Sequence, residues 1–89
     1  MRIYLTSYFK KDLKRIKKRK LDIAKLQQAI NILSNKTKLP TEYKDHKLSG
    51  SLKGYNECHI ESDWLLIYKY ADDNLTLILE RTGTHSDLF

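Results

Sequence analysis

The second half of this chain holds all three of its histidines, His46, His59 and His85, together with Asp63, Trp64 and Arg81. Cutting RNA without a metal needs a base to take the proton of the 2′-hydroxyl, an acid to protonate the departing 5′ oxygen, and a fixed cation on the phosphate. Imidazole suits both proton transfers because its ordinary pKa is about 6.5. Guanidinium suits the third role, since its fork matches a phosphate and keeps its charge. Trp64 and the terminal Phe89 offer faces on which bases stack. Strand pairing predicts how these groups meet. A two-residue turn at Glu61-Ser62 sets Ile60 against Asp63 and His59 opposite Trp64. A turn centred on Asp72-Asp73 sets Trp64 opposite Arg81, and a slip of one residue sets Asp63 there instead. Either register gathers imidazole, carboxylate, guanidinium and indole at one end of a sheet. The chain then turns at Gly83, so His85 and Phe89 are expected to fold back over that end.

Each of these residues also has an ordinary structural use. Histidines are commonly exposed and inert, Arg81 could cap a sheet edge, and a tryptophan is more often core than platform. A zinc site built from Cys58, His59, His46 and His85 lacks CxxC or HxxxH spacing, and the adjacent Cys58 and His59 point to opposite strand faces. No metal and no cofactor are therefore expected. There is no Gly-rich phosphate loop and no nucleophile elbow. Cys58 reads as buried filler.

The elements that must position these groups follow from periodicity. Arg2 to Leu5 alternates as a short strand. Thr6-Ser7 offers an N-cap, and Phe9, Leu13 and Ile16 mark an amphipathic helix from Ser7 to about Arg19. Asp22 can cap a second helix with Ile23, Leu26, Ile30 and Leu33 on one stripe, and the short connection makes the two helices antiparallel neighbours. From Asn35 to Gly50 the pattern fails and predicts a surface loop that carries His46. Strands are predicted at about Leu52 to Ile60, Asp63 to Tyr70 and Leu75 to Thr82, a meander whose apolar middle run is central. The expected fold is α+β, β-α-α-β-β-β, with both helices on a twisted, mostly antiparallel sheet, as one domain spanning 1–89.

Charge divides the chain. Residues 1–44 hold 13 Lys/Arg against 3 Asp/Glu and residues 45–89 hold 4 against 8, which gives +10 and −4. A concentrated positive field is the footprint of a polyanion binder, although lysines also solvate helix faces. One cysteine allows no internal disulfide, and no run has the length of a membrane span or a signal peptide, so a cytoplasmic protein that does not engage membranes is expected.

Several linked motifs resemble a known family. Asp45-His46-Lys47-Leu48-Ser49-Gly50, Gly54-Tyr55, Cys58-His59-Ile60-Glu61, Asp63-Trp64-Leu65-Leu66-Ile67-Tyr68-Lys69 and Arg81-Thr82-Gly83-Thr84-His85-Ser86-Asp87-Leu88-Phe89 are similar to the YafQ branch of the RelE-type toxins of bacteria, within the RelE/ParE superfamily. The likeness runs almost continuously from Tyr43 to Phe89. It implies a ribosome-dependent endoribonuclease that cuts messenger RNA and is neutralised by a co-expressed antitoxin, an acidic ribbon-helix-helix protein like DinJ. It further implies a monomeric free toxin and a heterotetramer with the antitoxin. Carried over by position, it implies acid and base roles among His46, His59, Asp63 and His85, phosphate stabilisation by Arg81, and substrate binding by Trp64, Phe89 and Lys53. His46 enters the site on this resemblance alone. Lys10, Lys11, Lys14, Lys17 and Lys18 are expected to dock on ribosomal RNA. The alternative is a non-catalytic module of the same fold that poisons gyrase or binds only its antitoxin.

Overall fold

The computed structural model describes all residues from Met1 to Phe89. Thr6 caps the first helix by accepting a hydrogen bond from the Phe9 backbone, and Asp22 caps the second by accepting from Ala24. Strand β1 is Arg2–Leu5, helix α1 is Ser7–Lys18 and α2 is Ile23–Ser34. Strands β2 (His46–Lys47), β3 (Asn56–Glu61), β4 (Trp64–Ala71) and β5 (Thr76–Gly83) follow, and a final short helix α3 spans His85–Leu88. Two 3₁₀ turns, Thr41–Tyr43 and Gly50–Leu52, flank β2.

The five strands form one sheet in the order β1-β5-β4-β3-β2, with β1 parallel to β5 and the other pairs antiparallel. One face is covered: Phe9, Ile16, Leu26, Ala29 and Leu33 from the helices bury against Cys58, Trp64, Leu66, Tyr68, Leu77 and Leu79. Burying side chains of this size contributes about 1.5–3 kcal/mol each. The architecture is the expected α+β arrangement, with two additions. The predicted loop around His46 is in part an edge strand, too short at two residues to leave an alternating pattern. The C-terminal tail is a helical turn.

Both predicted registers are corrected. The β3–β4 turn falls at Ser62-Asp63, so Glu61 faces Trp64 and His59 faces Leu65, with a bulge at Ile60 between them. The β4–β5 connection is longer than two residues. Asp72, Asp73 and Asn74 all take positive φ, a conformation Asp and Asn tolerate, and Ala71 pairs with Thr76. A second bulge then occurs at Glu80, so Arg81 pairs with Ile67 and never lies opposite Trp64 or Asp63.

That bulge decides where Arg81 points. Leu77 and Leu79 face the helices, and strict alternation would send residue 81 into the same core. The extra residue shifts the phase, so Thr82 takes the core position and Arg81 emerges on the open face.

Candidate active site

Directly opposed residues share a sheet face, which places two rows on the side away from α1 and α2. One row is His46, Glu57, Ile67 and Arg81 across β2 to β5, and the next is His59, Leu65 and Gly83. Helix α3 folds back beside them. The rings of His46, His59, His85 and Phe89 succeed one another with centroids 6.4, 6.2 and 6.4 Å apart. Three imidazoles remote in sequence thus share one surface.

Hydrogen bonds set the proton on each ring. His59 Nδ1 lies 3.3 Å from the Ser62 carbonyl. A carbonyl only accepts, so Nδ1 carries hydrogen, and in the neutral ring the lone pair lies on Nε2. His46 Nδ1 likewise donates to the Lys44 carbonyl at 2.7 Å, while its Nε2 faces Glu57 Oε1 at 3.3 Å. Asp63 Oδ1 accepts from both the backbone N–H and Nδ1 of His85, at 3.1 and 2.9 Å. These bonds, the one from the ring foremost, hold the Asp63 carboxyl below its usual range. Asp63 is therefore anionic at neutral pH and turns His85 Nε2 outward.

Arg81 is held from the helix side. Asp12 Oδ2 accepts from Arg81 Nε at 2.7 Å and Oδ1 from Nη2 at 3.1 Å, and the same carboxylate takes the Thr82 backbone N–H at 3.2 Å. That N–H needs a partner because β1 ends at Leu5, opposite Leu79, Thr6 reaches only as far as the Glu80 carbonyl, and the β5 edge beyond is open. The ion pair raises the Arg81 pKa, with the hydrogen bonds it donates to Asp12 as the largest cause, and the guanidinium is 5.8 Å from the ring of Tyr8.

Helix α3 is fixed by a second carboxylate. Thr84 and Asp87 form a reciprocal capping box, and Asp87 receives Arg19 through two hydrogen bonds of 2.6 and 3.0 Å. Gly83 is required here because a Cβ at that position would lie 2.9 Å from Asp87 Oδ2.

Two sequence expectations meet different surroundings. Trp64 is 2% exposed and faces the helix-side core, where its Nε1 donates to Thr82 Oγ1 at 2.9 Å. It has no free face for a base, because register and alternation turn it inward. The exposed aromatics bordering the site are Phe89 at 64% and Tyr8 at 60%. Lys53 ends the 3₁₀ turn after β2 and lines a separate recess with Lys47, Leu48, Gly54, Tyr55 and Asn56, in which no histidine takes part. Lys10, Lys11, Lys14, Lys17 and Lys18 are exposed and outside every ion pair, whereas Arg15 and Arg19 serve Asp12 and Asp87. Cys58 is buried, and burial pushes its thiol up to about 12.

The sequence reading passed over Asp12, Glu57 and Tyr8. Asp12 had a signal: it is the one acidic residue in α1 and sits on the stripe of Phe9 and Ile16. Glu57 shares the face of His59 by simple alternation, but its pairing with His46 depends on a two-residue strand no pattern announces.

A small basic α+β scaffold with tautomer-fixed imidazoles and a clamped guanidinium on an open sheet face defines a protein equipped for proton transfer beside an anion. The profile of the family described as bacterial toxin of type II toxin-antitoxin system, YafQ, matches residues 1–89, and the chain belongs to that family. It is 48% identical over 88 residues to the mRNA interferase toxin YafQ of Escherichia coli K12, covering 98% of this chain and 94% of that protein. Its structure resembles the toxin in the E. coli DinJ-YafQ complex with a TM-score of 0.89 at 46% identity, covering 100% of this chain and 99% of that one. It also resembles a metal-bound toxin from Helicobacter pylori, with a TM-score of 0.92 at 39% identity and the same coverage. In this chain no three His, Cys, Asp or Glu side chains are placed to hold a metal ion together, so the residues present do not fit one.

Proposed function

We propose that this chain is an endoribonuclease, the toxin of a toxin-antitoxin pair, that cuts messenger RNA on the ribosome in the cytoplasm. The observation that carries the reading is the placement of His59, His85 with Asp63, and Arg81 on one open face. His59 Nε2, unprotonated, takes the proton of the 2′-hydroxyl. The 2′ oxygen attacks the adjacent phosphorus, the bond to the 5′ oxygen breaks, and His85 Nε2 delivers a proton to that oxygen. The products are a 2′,3′-cyclic phosphate and a 5′-hydroxyl. Asp63 orients His85 and faces the ring with negative charge while it is protonated, as the carboxylate does in a serine-protease triad. Arg81 stabilises charge on the non-bridging oxygens. Phe89 and Tyr8 are the faces on which the flanking bases stack, and His59 opens on a cleft of about 510 Å³ of mixed charge, where Lys44 and Tyr43 stand beside Glu42 and the Lys25–Glu61 ion pair. His46, held by Lys44 and Glu57, borders the phosphate as a third imidazole. Lys53 contacts the strand outside the reacting nucleotides.

The basic outer face of α1 docks on ribosomal RNA, and an acidic DinJ-like antitoxin, as in the E. coli complex, neutralises the toxin. The residues 1–89 act as one domain, monomeric when free and heterotetrameric with antitoxin. The test is cleavage of a defined messenger RNA with and without programmed ribosomes, in chelator, by the wild type and His85→Ala. Cleavage by the wild type on ribosomes, a fall of about 10²- to 10⁴-fold in the variant, and none of a deoxy substrate are expected. Loss of activity in chelator would restore a metal. Absence of cleavage under every condition, with antitoxin still bound, would leave a non-catalytic module.

A further inference from the structure

We infer that Asp12 is a positioning residue for cleavage: it fixes the guanidinium of Arg81, and it makes the inner face of α1 part of the catalytic site as the outer face is part of the docking surface. This rests on the ribonuclease reading above. The carboxylate is 1% exposed, and a buried anion is costly unless its oxygens are filled by charged donors. Here they are filled by Arg81 Nε and Nη2, by the Thr82 N–H, and by Arg15 Nη1 at 3.4 Å. Closing the sheet edge at Thr82 requires only a neutral acceptor, which Asn or Ser would supply. The two-point match to Nε and Nη2 is a different feature, because it sets the plane and azimuth of the guanidinium and leaves Nη1 for a phosphate.

The network reaches further. Arg15 Nη1 lies 3.4 Å from Asp12 and 3.8 Å from Asp87, which also binds Arg19, so Arg81, Asp12, Arg15, Asp87 and Arg19 form one chain of charges ending in α3. Three guanidiniums against two carboxylates leave this chain of charges with one net positive charge. Arg81 and His85 are the two groups assigned to the phosphate and the leaving oxygen, and Asp12 stands between the element that carries one and the network that anchors the other. A free arginine has many rotamers, so fixing it before substrate arrives removes reorganisation from the reaction step.

Single-turnover cleavage on programmed ribosomes by wild type, D12N, R81A and the double variant tests this. Asn keeps one acceptor oxygen for Thr82 and loses the charge and half of the fork. D12N should lower the maximal rate on the order of 10- to 100-fold and leave the half-saturating toxin concentration near wild type. In the R81A background D12N should cost nothing further. The preference between the two phosphorothioate diastereomers at the cleaved linkage should weaken in both D12N and R81A. Wild-type rates for D12N beside an inactive R81A, or an equal loss in both backgrounds, would overturn the inference and leave the ribonuclease reading intact. Full cleavage by R81A would overturn the phosphate role itself and the inference with it. If D12N does not fold, the wild-type protein decides: the Arg81 Nε–H should give a distinct, exchange-protected NMR signal, and rapid exchange at that position would end the proposal.

Discussion

At the scale of single residues, the proposed site separates side chains assigned to the chemistry from those that hold them. His59 and His85 each spend Nδ1 on an oxygen and present Nε2, so their roles depend on what sits behind the ring as much as on the ring. Trp64 belongs to the holding class. Its indole N–H satisfies Thr82 Oγ1, which in turn donates to the Leu65 carbonyl at 2.7 Å, beneath the strand that bears Arg81. Trp64→Phe should therefore cost roughly 1–3 kcal/mol of stability by leaving a buried hydroxyl short of a partner. Urea melts and cleavage rates measured on the folded variant check this, and cleavage should persist. A Phe variant of wild-type stability without activity would place the indole at the substrate after all.

At the scale of elements, α3 is a four-residue helix that could not persist alone and exists because Asp63 and Asp87 pin both of its sides. The bonds from Arg19 hold Asp87 well below the ordinary carboxylate range. A depressed native pKa means that docking contributes stability above the unfolded value, which is near 3.8, and that this is lost as pH falls through the lower native value. The tail should stay docked from neutral pH down to about 4 and release only in stronger acid. Asp87→Asn should release it at pH 7, so that the His85 and Phe89 NMR signals move to free-tail positions and cleavage falls at least tenfold, while global unfolding shifts little. Unchanged signals in that variant would mean that Asp63 suffices.

The whole molecule is polarised. Eight of its eleven acidic residues lie in residues 45–89, and ten of its thirteen lysines in residues 1–44. Helix α1 joins the two regions, with Lys10, Lys11, Lys14, Lys17 and Lys18 outward and Asp12 inward. Replacing Lys10, Lys11, Lys14 and Lys17 by Gln should weaken binding to ribosomes and lower the slope of log affinity against log salt by roughly 3, the scale expected for four lost phosphate contacts. Cleavage by variant already bound at low salt should be preserved. Unchanged binding would reduce these lysines to solvating a helix face.

Much of this protein was legible in order of residues alone. The 3.6 and 2 periodicities marked both helices and the three meander strands, the caps Thr6 and Asp22 stood where helices begin, and the charge division named the basic face. Local pattern suffices there because amphipathicity is a property of neighbours in sequence. The residues able to do chemistry were legible by type, but their meeting was not. The predicted registers missed because one bulge and a longer turn move every downstream partner, and the bulge at Glu80, which turns Arg81 to the open face, has no signature in composition. Trp64 went inward by the same phase. The salt bridge from Asp12 to Arg81 spans 69 positions, and the docking of His85 on Asp63 spans 22. Those separations are closed only when the sheet, its open edge and the helix across it exist together. What tertiary structure alone decided is which of these groups share one face.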